Sequence, residues 1–432
     1  MFLRKDFVII QNRDAGVMMN TKIASPKKRI APGHILTIPV IVSSLGYFVD
    51  IYDLLLFSIV RIPSLKSIGL QGQELLDKGV FLLNAQMAGM LLGGILWGML
   101  GDKKGRVKIL FGSIFLYSIA NIANGFVNSI EAYTAWRFIA GVGLAGELGA
   151  GVTLVLETLP KEVRGYGTMI VASVGVAGAI LANFVAKNFD WRAAYFIGGG
   201  LGMLLLILRI GVFESGMFKE IQRMKIKKGN FLHLFTNWRR FTKYMKSILI
   251  GLPAWFSVGI LITFSPEFAK ALSISEPINA GEAVMFCYIG LVFGDFVSGF
   301  LSQRFRSRKK VVLLFLTLFA IVAASYFMLH NVSAAIFYAI CAALGFTIGY
   351  WAVFITIAAE QFGTNLRATV ASTVPNFIRG AVIPITFSFQ IAKKYFGILS
   401  GGAIVGAICL LISFYALFRL EETFSKDLNY IE

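Results

Sequence analysis

The chain has 432 residues, 57% of them hydrophobic and 15% charged, with a mean hydropathy of +0.73. Soluble globular domains carry about 25% charged residues to keep their surfaces wet, so this composition excludes that class and points to a membrane protein. The net charge of +18 could suggest nucleic acid, but Lys and Arg concentrate on alternate loops between apolar runs, which is the pattern of membrane topology, and no nucleic-acid partner is expected.

The first 34 residues hold one short apolar run, FVII, and no cleavage pattern. The expectation is a cytoplasmic tail over 1–34, with the first span serving as its own insertion signal. About twelve runs of roughly 20 apolar residues follow, at 35–60, 80–101, 109–128, 131–157, 165–187, 191–212, 247–268, 283–303, 311–329, 333–358, 368–391 and 399–419. In lipid a long unbroken run satisfies its own backbone only as a helix, and the short alternating strands of a barrel do not appear. The expected fold is an all-α membrane protein of twelve transmembrane helices. Segment 214–246 carries nine Lys/Arg against two Glu and reads as a basic cytoplasmic linker, drawn to anionic headgroups, between six-helix bundles at 35–213 and 247–420. Residues 421–432 form a tail. Alternation of the basic loops places both termini in the cytoplasm, with Arg137 and Arg379 as the cations inside spans. Cys287, Cys341 and Cys409 fall in spans and read as small apolar fillers.

The two halves repeat. LETLPKEVRGYGT, Leu156 to Thr168, aligns with AEQFGTNLRATVA, Ala359 to Ala371, so that Glu157 and Arg164 map onto Glu360 and Arg367. GMLGDKKGRVK from Gly98 matches GFLSQRFRSRKK from Gly299, with Gln303 in place of the carboxylate. Internal repeats of this kind build transporters that hold substrate between halves near the bilayer midplane. GMLGDKKGRVK and its degenerate copy resemble the signature loops of the major facilitator superfamily. WRFIAGVGLAGELGAG in span four and the DIYD of span one further resemble its metabolite:proton, phosphate:proton and sugar:proton symporters. Span five, VASVGVAGAILANFVAK, lacks the Gly-Pro signature of the superfamily's drug:proton antiporters, which tilts the reading toward import.

An ionised carboxylate at mid-bilayer costs about 2.5–3.5 kcal/mol even on insertion scales, so each one needs a partner, a wet cavity or a proton. Asp50 and Asp53 share one helical face with Gly46 and Phe57, which belongs on a cavity rather than on lipid. By rise per residue they lie about 15 and 10 Å below the outer end of span one, and Arg137 lies about 9 Å below that of span four, so the three can meet. Movement of Arg137 would then change whether an aspartate holds a proton; the alternative is a static ion pair between helices one and four. The resemblance implies the switch, mapped onto Asp50 or Asp53 and Arg137. Glu147 resembles the acidic residue after the paired glycines of the metabolite and phosphate symporters, as a second proton site or a substrate ligand; alternatively it bonds a neighbouring helix.

In span eleven Arg379 ends a polar stripe of Thr369, Ser372 and Asn376. It either pairs with Asp295, at similar depth on span eight, or holds an anionic group of the substrate. Trp255, Tyr350, Trp351, Asn84 and Gln86 are the remaining cavity candidates, whereas the polar face of span three, Tyr117, Asn121, Asn124 and Asn128, is expected to bond neighbouring helices away from the cavity. The loop Gly98, Asp102, Gly105 and Arg106 reads as cytoplasmic and conformational; the family resemblance implies a latch of the outward-open state, extended by Glu157 with Arg164 and Glu360 with Arg367, the alternative being topology alone.

No GxxxxGK[ST] loop, HExxH motif or Cys/His cluster is present, and His34, His233 and His330 fall in tails or loops. The expected protein is no enzyme and needs no cofactor, its driving force being a proton gradient. It is a secondary transporter, functional as a monomer in a bacterial cytoplasmic membrane, that takes up a small polar, anionic or zwitterionic metabolite with protons. An exporter or exchanger, or a transporter-like receptor without flux, are the competing readings.

Overall fold

A computed structural model describes residues 36–104, 106–159, 164–213 and 231–424. The first half comprises α1 Ile38–Ser67, α2 Glu74–Lys104, α3 Arg106–Asn124, α4 Ile130–Leu144, α5 Glu147–Thr158, α6 Arg164–Val176, α7 Gly178–Asn188 and α8 Trp191–Phe213. After a short 3-10 turn, Phe231–Leu234, come α9 Trp238–Leu249 and α10 Leu252–Phe256, a π-helical stretch Ser257–Ile262, and α11 Ser265–Ala271. The remainder is α12 Ala280–Phe305, α13 Arg308–Met328, α14 Ala334–Ile348, α15 Trp351–Glu360, α16 Thr364–Gly380 and α17 Val382–Arg419. Among the described residues there is no strand.

Among the described residues, eight helices are long and apolar enough to cross a membrane, or nine if Trp238–Leu249 and Leu252–Ile262, bent by 41°, form one span. Twelve runs were expected, and the difference lies in helices that stop or turn. The run at 109–128 is the shorter helix Lys108–Asn124, and the run at 131–157 is divided between α4 and α5. The last two runs merge, the first of them running from α16 into α17, and α17 is continuous except at Gly397, whose φ of 79° is open to glycine at little cost. Gly401 packs against the backbone of Ala392 and Lys393, which a straight helix would hold about 12 Å away, so the chain reverses there.

Corresponding helices break at corresponding points in the two halves: α4 gives way to α5 as α14 gives way to α15, and α6 to α7 as α16 to α17. The closest packing repeats as well. Lipid supplies no hydrophobic drive between helices, so they associate through small residues that let backbones approach. On α2, Gly89 and Gly93 lie against the carbonyls of Phe138 and Val142, and Gly141 of α4 lies against Gln86. On α12, Gly290 and Gly294 lie against Ala342 and Phe346, and Gly345 of α14 lies against Cys287. The three cysteines are free and buried, as expected of fillers.

At the far end of α17, Glu422 ties the chain to α13. Its carboxylate accepts from Ser307 Oγ and from the N–H groups of Arg308 and Lys309 at 3.0 and 3.2 Å. Burial alone would raise its pKa, but these donors and the Phe424 N–H hold it below the ordinary glutamate value.

Two outcomes follow for thermal unfolding of the purified protein. Gly345→Leu should cost at least about 2 kcal/mol by overpacking, whereas Gly200→Ala, where an added carbon meets nothing within 4 Å, should be neutral or stabilising. Because the folded-state pKa of Glu422 is depressed, its contribution is present above the unfolded value of about 4.3 and is lost as pH falls through the folded value. Glu422→Gln should therefore lower the unfolding midpoint at pH 7, and the gap to wild type should close below about pH 4.

Candidate functional site

Several of the helix breaks, at α6–α7, α10 with its π-helical stretch, and α14–α15, border one cavity. Irregular backbone at membrane depth is tolerated where it lines such a space. Tyr47 and Ile51 of α1 and Val176, beside the α6–α7 break, form one wall; Trp255 of α10, Val258 of the π-helical stretch and Tyr288 and Leu291 of α12 form the others. Ile348 and Trp351, either side of the α14–α15 break, and Arg379 of α16 close it. The free volume is about 20 Å³, room for a water molecule and not for a metabolite, so occupancy requires helices of the two halves to part.

Arg379 Nη2 lies 3.7 Å from Asp50 Oδ2, both side chains being almost fully buried. The pair joins α1 to α16 and so bridges the halves at the cavity wall. Neither carboxylate oxygen of Asp50, nor Nε and Nη1 of Arg379, has a hydrogen-bond partner. The guanidinium also sits 6.0 Å from the Trp255 ring. Asp53, one turn on, has Asp50, Arg137 and Asn121 as electrostatic neighbours, with no cation at ion-pair distance among the described residues. Gly198 leaves no room for a side chain beside its carboxylate. Arg137 is held instead by Gln86 Oε1 and by the rings of Phe57 and Tyr195 at 5.2 and 5.8 Å.

A second buried pair lies toward the start of α1. Arg209 of α8 grips Glu147 with two nitrogens, at 2.5 and 3.2 Å, and donates to the Val42 carbonyl at 3.1 Å. Gly46 is needed here, because a side-chain carbon at that position would overlap Glu147 and Arg209. At the other end of α1, Arg61 is fully buried and donates to Glu267 at 2.7 Å and to the Leu75 carbonyl at 3.1 Å. Bonds from Thr263 to Ser58 at 3.1 Å and from Thr386 to Asn84 at 2.8 Å join the halves on the same side. On the opposite side Asn376 donates to Ala145 at 2.8 Å, and Gly149 lets Ser372 approach closely. Contacts between the halves thus flank the cavity on both sides.

Several expected partners differ. Arg379 pairs with Asp50 and not with Asp295, whose carboxylate accepts from the Ala352 N–H at 3.1 Å; the break before α15 frees amide groups that this aspartate caps. Asp50 likewise meets Arg379 rather than Arg137. Glu147 is fixed by Arg209, which stands inside span 191–212 yet reads in sequence as positive-inside charge. Arg137 and Arg379 are thus not the only interior cations, since Arg61 and Arg209 are equally buried. Trp255 and Trp351 line the cavity as expected, but Tyr350 donates to Ile250, Asn376 is spent on the Ala145 and Ser372 carbonyls, and Gln86 on Arg137 and Leu54. Asn121 of α3 stands beside Asp53, closer to the charge cluster than expected. Tyr47 and Tyr288 were missed, although each has a legible signal: Tyr47 is three residues before Asp50 and Tyr288 seven before Asp295, so each shares its aspartate's helical face.

Of the expected latch, Gly98 faces Thr373 of α16 and Glu360 is held by Arg308 through two bonds of 2.6 and 2.7 Å. Gly105 and the side chains of Asp102, Arg106, Glu157, Arg164 and Arg367 lie outside the described residues.

A bundle of broken, glycine-packed helices around a central charged cavity defines a membrane transporter. The family model of the Major Facilitator Superfamily matches residues 36–386, and the chain belongs to that family. A Bacillus subtilis protein named for niacin/nicotinamide transport is 26% identical over 389 residues, covering 86% of this chain and 94% of the relative. A gentisate transporter of Corynebacterium glutamicum is 25% identical over 402 residues, covering 87% and 86%. The solved structure of a proton:xylose symporter, XylE, bound to 6-bromo-6-deoxy-D-glucose, superposes with a TM-score of 0.68 at 16% identity, covering 92% of this chain and 98% of that one, a likeness of fold. The chain is a multi-pass integral membrane protein that transports a small molecule, not an enzyme.

Removing Arg209 leaves Glu147 buried and unpaired, so Arg209→Gln should destabilise the protein by about 3–5 kcal/mol, and the combination Glu147→Leu with Arg209→Met should recover most of that loss in the same unfolding assay.

Proposed function

We propose that the protein is a proton-coupled importer of a small anionic metabolite in a bacterial inner membrane, working by alternating access as a monomer, with the proton gradient as its only driving force and no cofactor. On this reading the chain crosses the membrane twelve times with both termini in the cytoplasm. Bundles 35–213 and 247–420 flank the linker 214–246, with tails at 1–34 and 421–432.

The observation that carries the proposal is the Asp50–Arg379 pair at the cavity wall. An arriving carboxylate offers Arg379 a bidentate partner, and Arg379 has unpaired N–H groups to meet it. Asp50 then loses its cation. An ionised carboxylate left alone in that place is costly, and a proton relieves the cost, so substrate and proton enter together. Asp53, with Arg137 behind it, extends the proton site, while the Glu147–Arg209 pair holds α1 against α5 and α8. Gly98, Asp102, Gly105, Arg106, Glu157, Arg164, Glu360 and Arg367 act as the cytoplasmic latch. The relatives named for niacin and gentisate support a carboxylate substrate.

In proteoliposomes, an inward pH gradient should drive accumulation of the substrate by wild type. Asp50→Asn should abolish accumulation while keeping exchange of labelled for unlabelled substrate within about tenfold of wild type. Accumulation by that variant at the wild-type level would remove Asp50 from coupling.

A further inference from the structure

The chemistry of the cavity narrows the substrate further, on the proposed reading that Arg379 receives its anionic group. Four aromatic side chains, Tyr47, Trp255, Tyr288 and Trp351, share the lining with aliphatic residues and one cation, and no Asn, Gln, Ser, Thr, Asp or Glu is among the lining residues described. A hydroxyl-rich ligand such as a sugar would leave its donors and acceptors unpaired there, each at the cost of desolvation. A flat ring meets no such penalty, and it parts the walls by only the thickness of one aromatic layer, about 3.5 Å. The polar groups that converge on the space are few and buried: Arg379 Nε and Nη1 and Trp351 Nε1 have no hydrogen-bond partner. These three are donors only, and beside them the Tyr47 and Tyr288 hydroxyls can donate as well as accept, so the set favours an acceptor such as a carboxylate. An aromatic box also suits a quaternary ammonium, but here the Arg379 guanidinium stands 6.0 Å from the Trp255 ring and would repel a second cation.

We infer that the substrate is a planar aromatic monocarboxylate, with its carboxylate on Arg379 and its ring against Trp255 and Trp351, and that these two tryptophans determine specificity. An aliphatic acid of equal charge keeps the ion pair and loses the ring contacts.

The test is binding to the purified full-length protein, followed by tryptophan fluorescence and by thermal stabilisation, with four probes: benzoate, cyclohexanecarboxylate, benzamide and glycine betaine. Benzoate should bind roughly tenfold or more tighter than cyclohexanecarboxylate, as expected for two aromatic contacts, and benzamide and glycine betaine should bind more weakly still. Trp351→Leu should reduce the preference for benzoate over cyclohexanecarboxylate at least threefold, and Arg379→Gln should weaken both acids together. Equal binding of the two acids, both weakened by Arg379→Gln, would overturn the aromatic class and leave the anion site standing. Benzoate binding unaffected by Arg379→Gln would overturn the anion site as well. A preference for glycine betaine, or no binding of benzoate at millimolar concentration, would also overturn the inference. The comparison of probes on wild type decides the aromatic class even if a variant fails to fold.

Discussion

A charge buried among helices in lipid must be answered, and this protein answers its charges across helices rather than along them. Asp50 of α1 meets Arg379 of α16, Glu147 of α5 meets Arg209 of α8, and Arg61 of α1 meets Glu267 of α11. The Glu147–Arg209 pair lies within the first half, is bidentate, and leaves only Arg209 Nε without a partner, which suits a fixed joint. The Asp50–Arg379 pair spans the halves, is longer, and leaves most of its polar atoms unmatched. A half-satisfied pair of this kind is where a competing ligand gains most. The contrast separates a pair that holds the first bundle together from a pair that joins the two halves with most of its polar atoms unmatched.

The same logic reaches the ends of the molecule. An ion pair and hydroxyl bonds join the halves on the side nearer Ser67, whereas the Asn376–Ala145 bond and the close approach of Gly149 to Ser372 join them on the side nearer Ile38. Charged contacts are directional and part as units, while small-residue packing depends on many weak contacts over a helix face. A cavity too small for a metabolite, flanked on both sides by contacts between the halves, has to widen before a metabolite fits. Helix breaks at matching points in each half give the chain places to bend without losing the rest of its hydrogen bonds.

Much of this is legible in the sequence because lipid makes the rules strict. Apolar runs mark the helices, the aspartates of DIYD mark a face turned to other helices and not to lipid, and Trp255, Trp351 and Arg379 line the cavity. What could not be read depends on geometry created by the breaks. Counting rise per residue along straight helices sets Asp295 level with Arg379, but the interruption at Gly349 presents free amide groups that Asp295 caps. Arg209 was hidden for another reason: a basic residue near the end of a span is indistinguishable by pattern from topological charge, and only its burial against Glu147 shows its partner. The many glycines carry too little contrast to say where a helix stops and where it merely packs.

The central claim is that substrate and Asp50 compete for Arg379, so that binding itself takes up a proton. Measuring proton uptake on substrate addition to the purified protein in weakly buffered detergent solution, with a pH-indicating dye, tests it most directly. The account predicts about one proton taken up per substrate bound by wild type near neutral pH and none by Asp50→Asn. Saturable binding to wild type with no proton uptake, at any pH from 6 to 8, would contradict it.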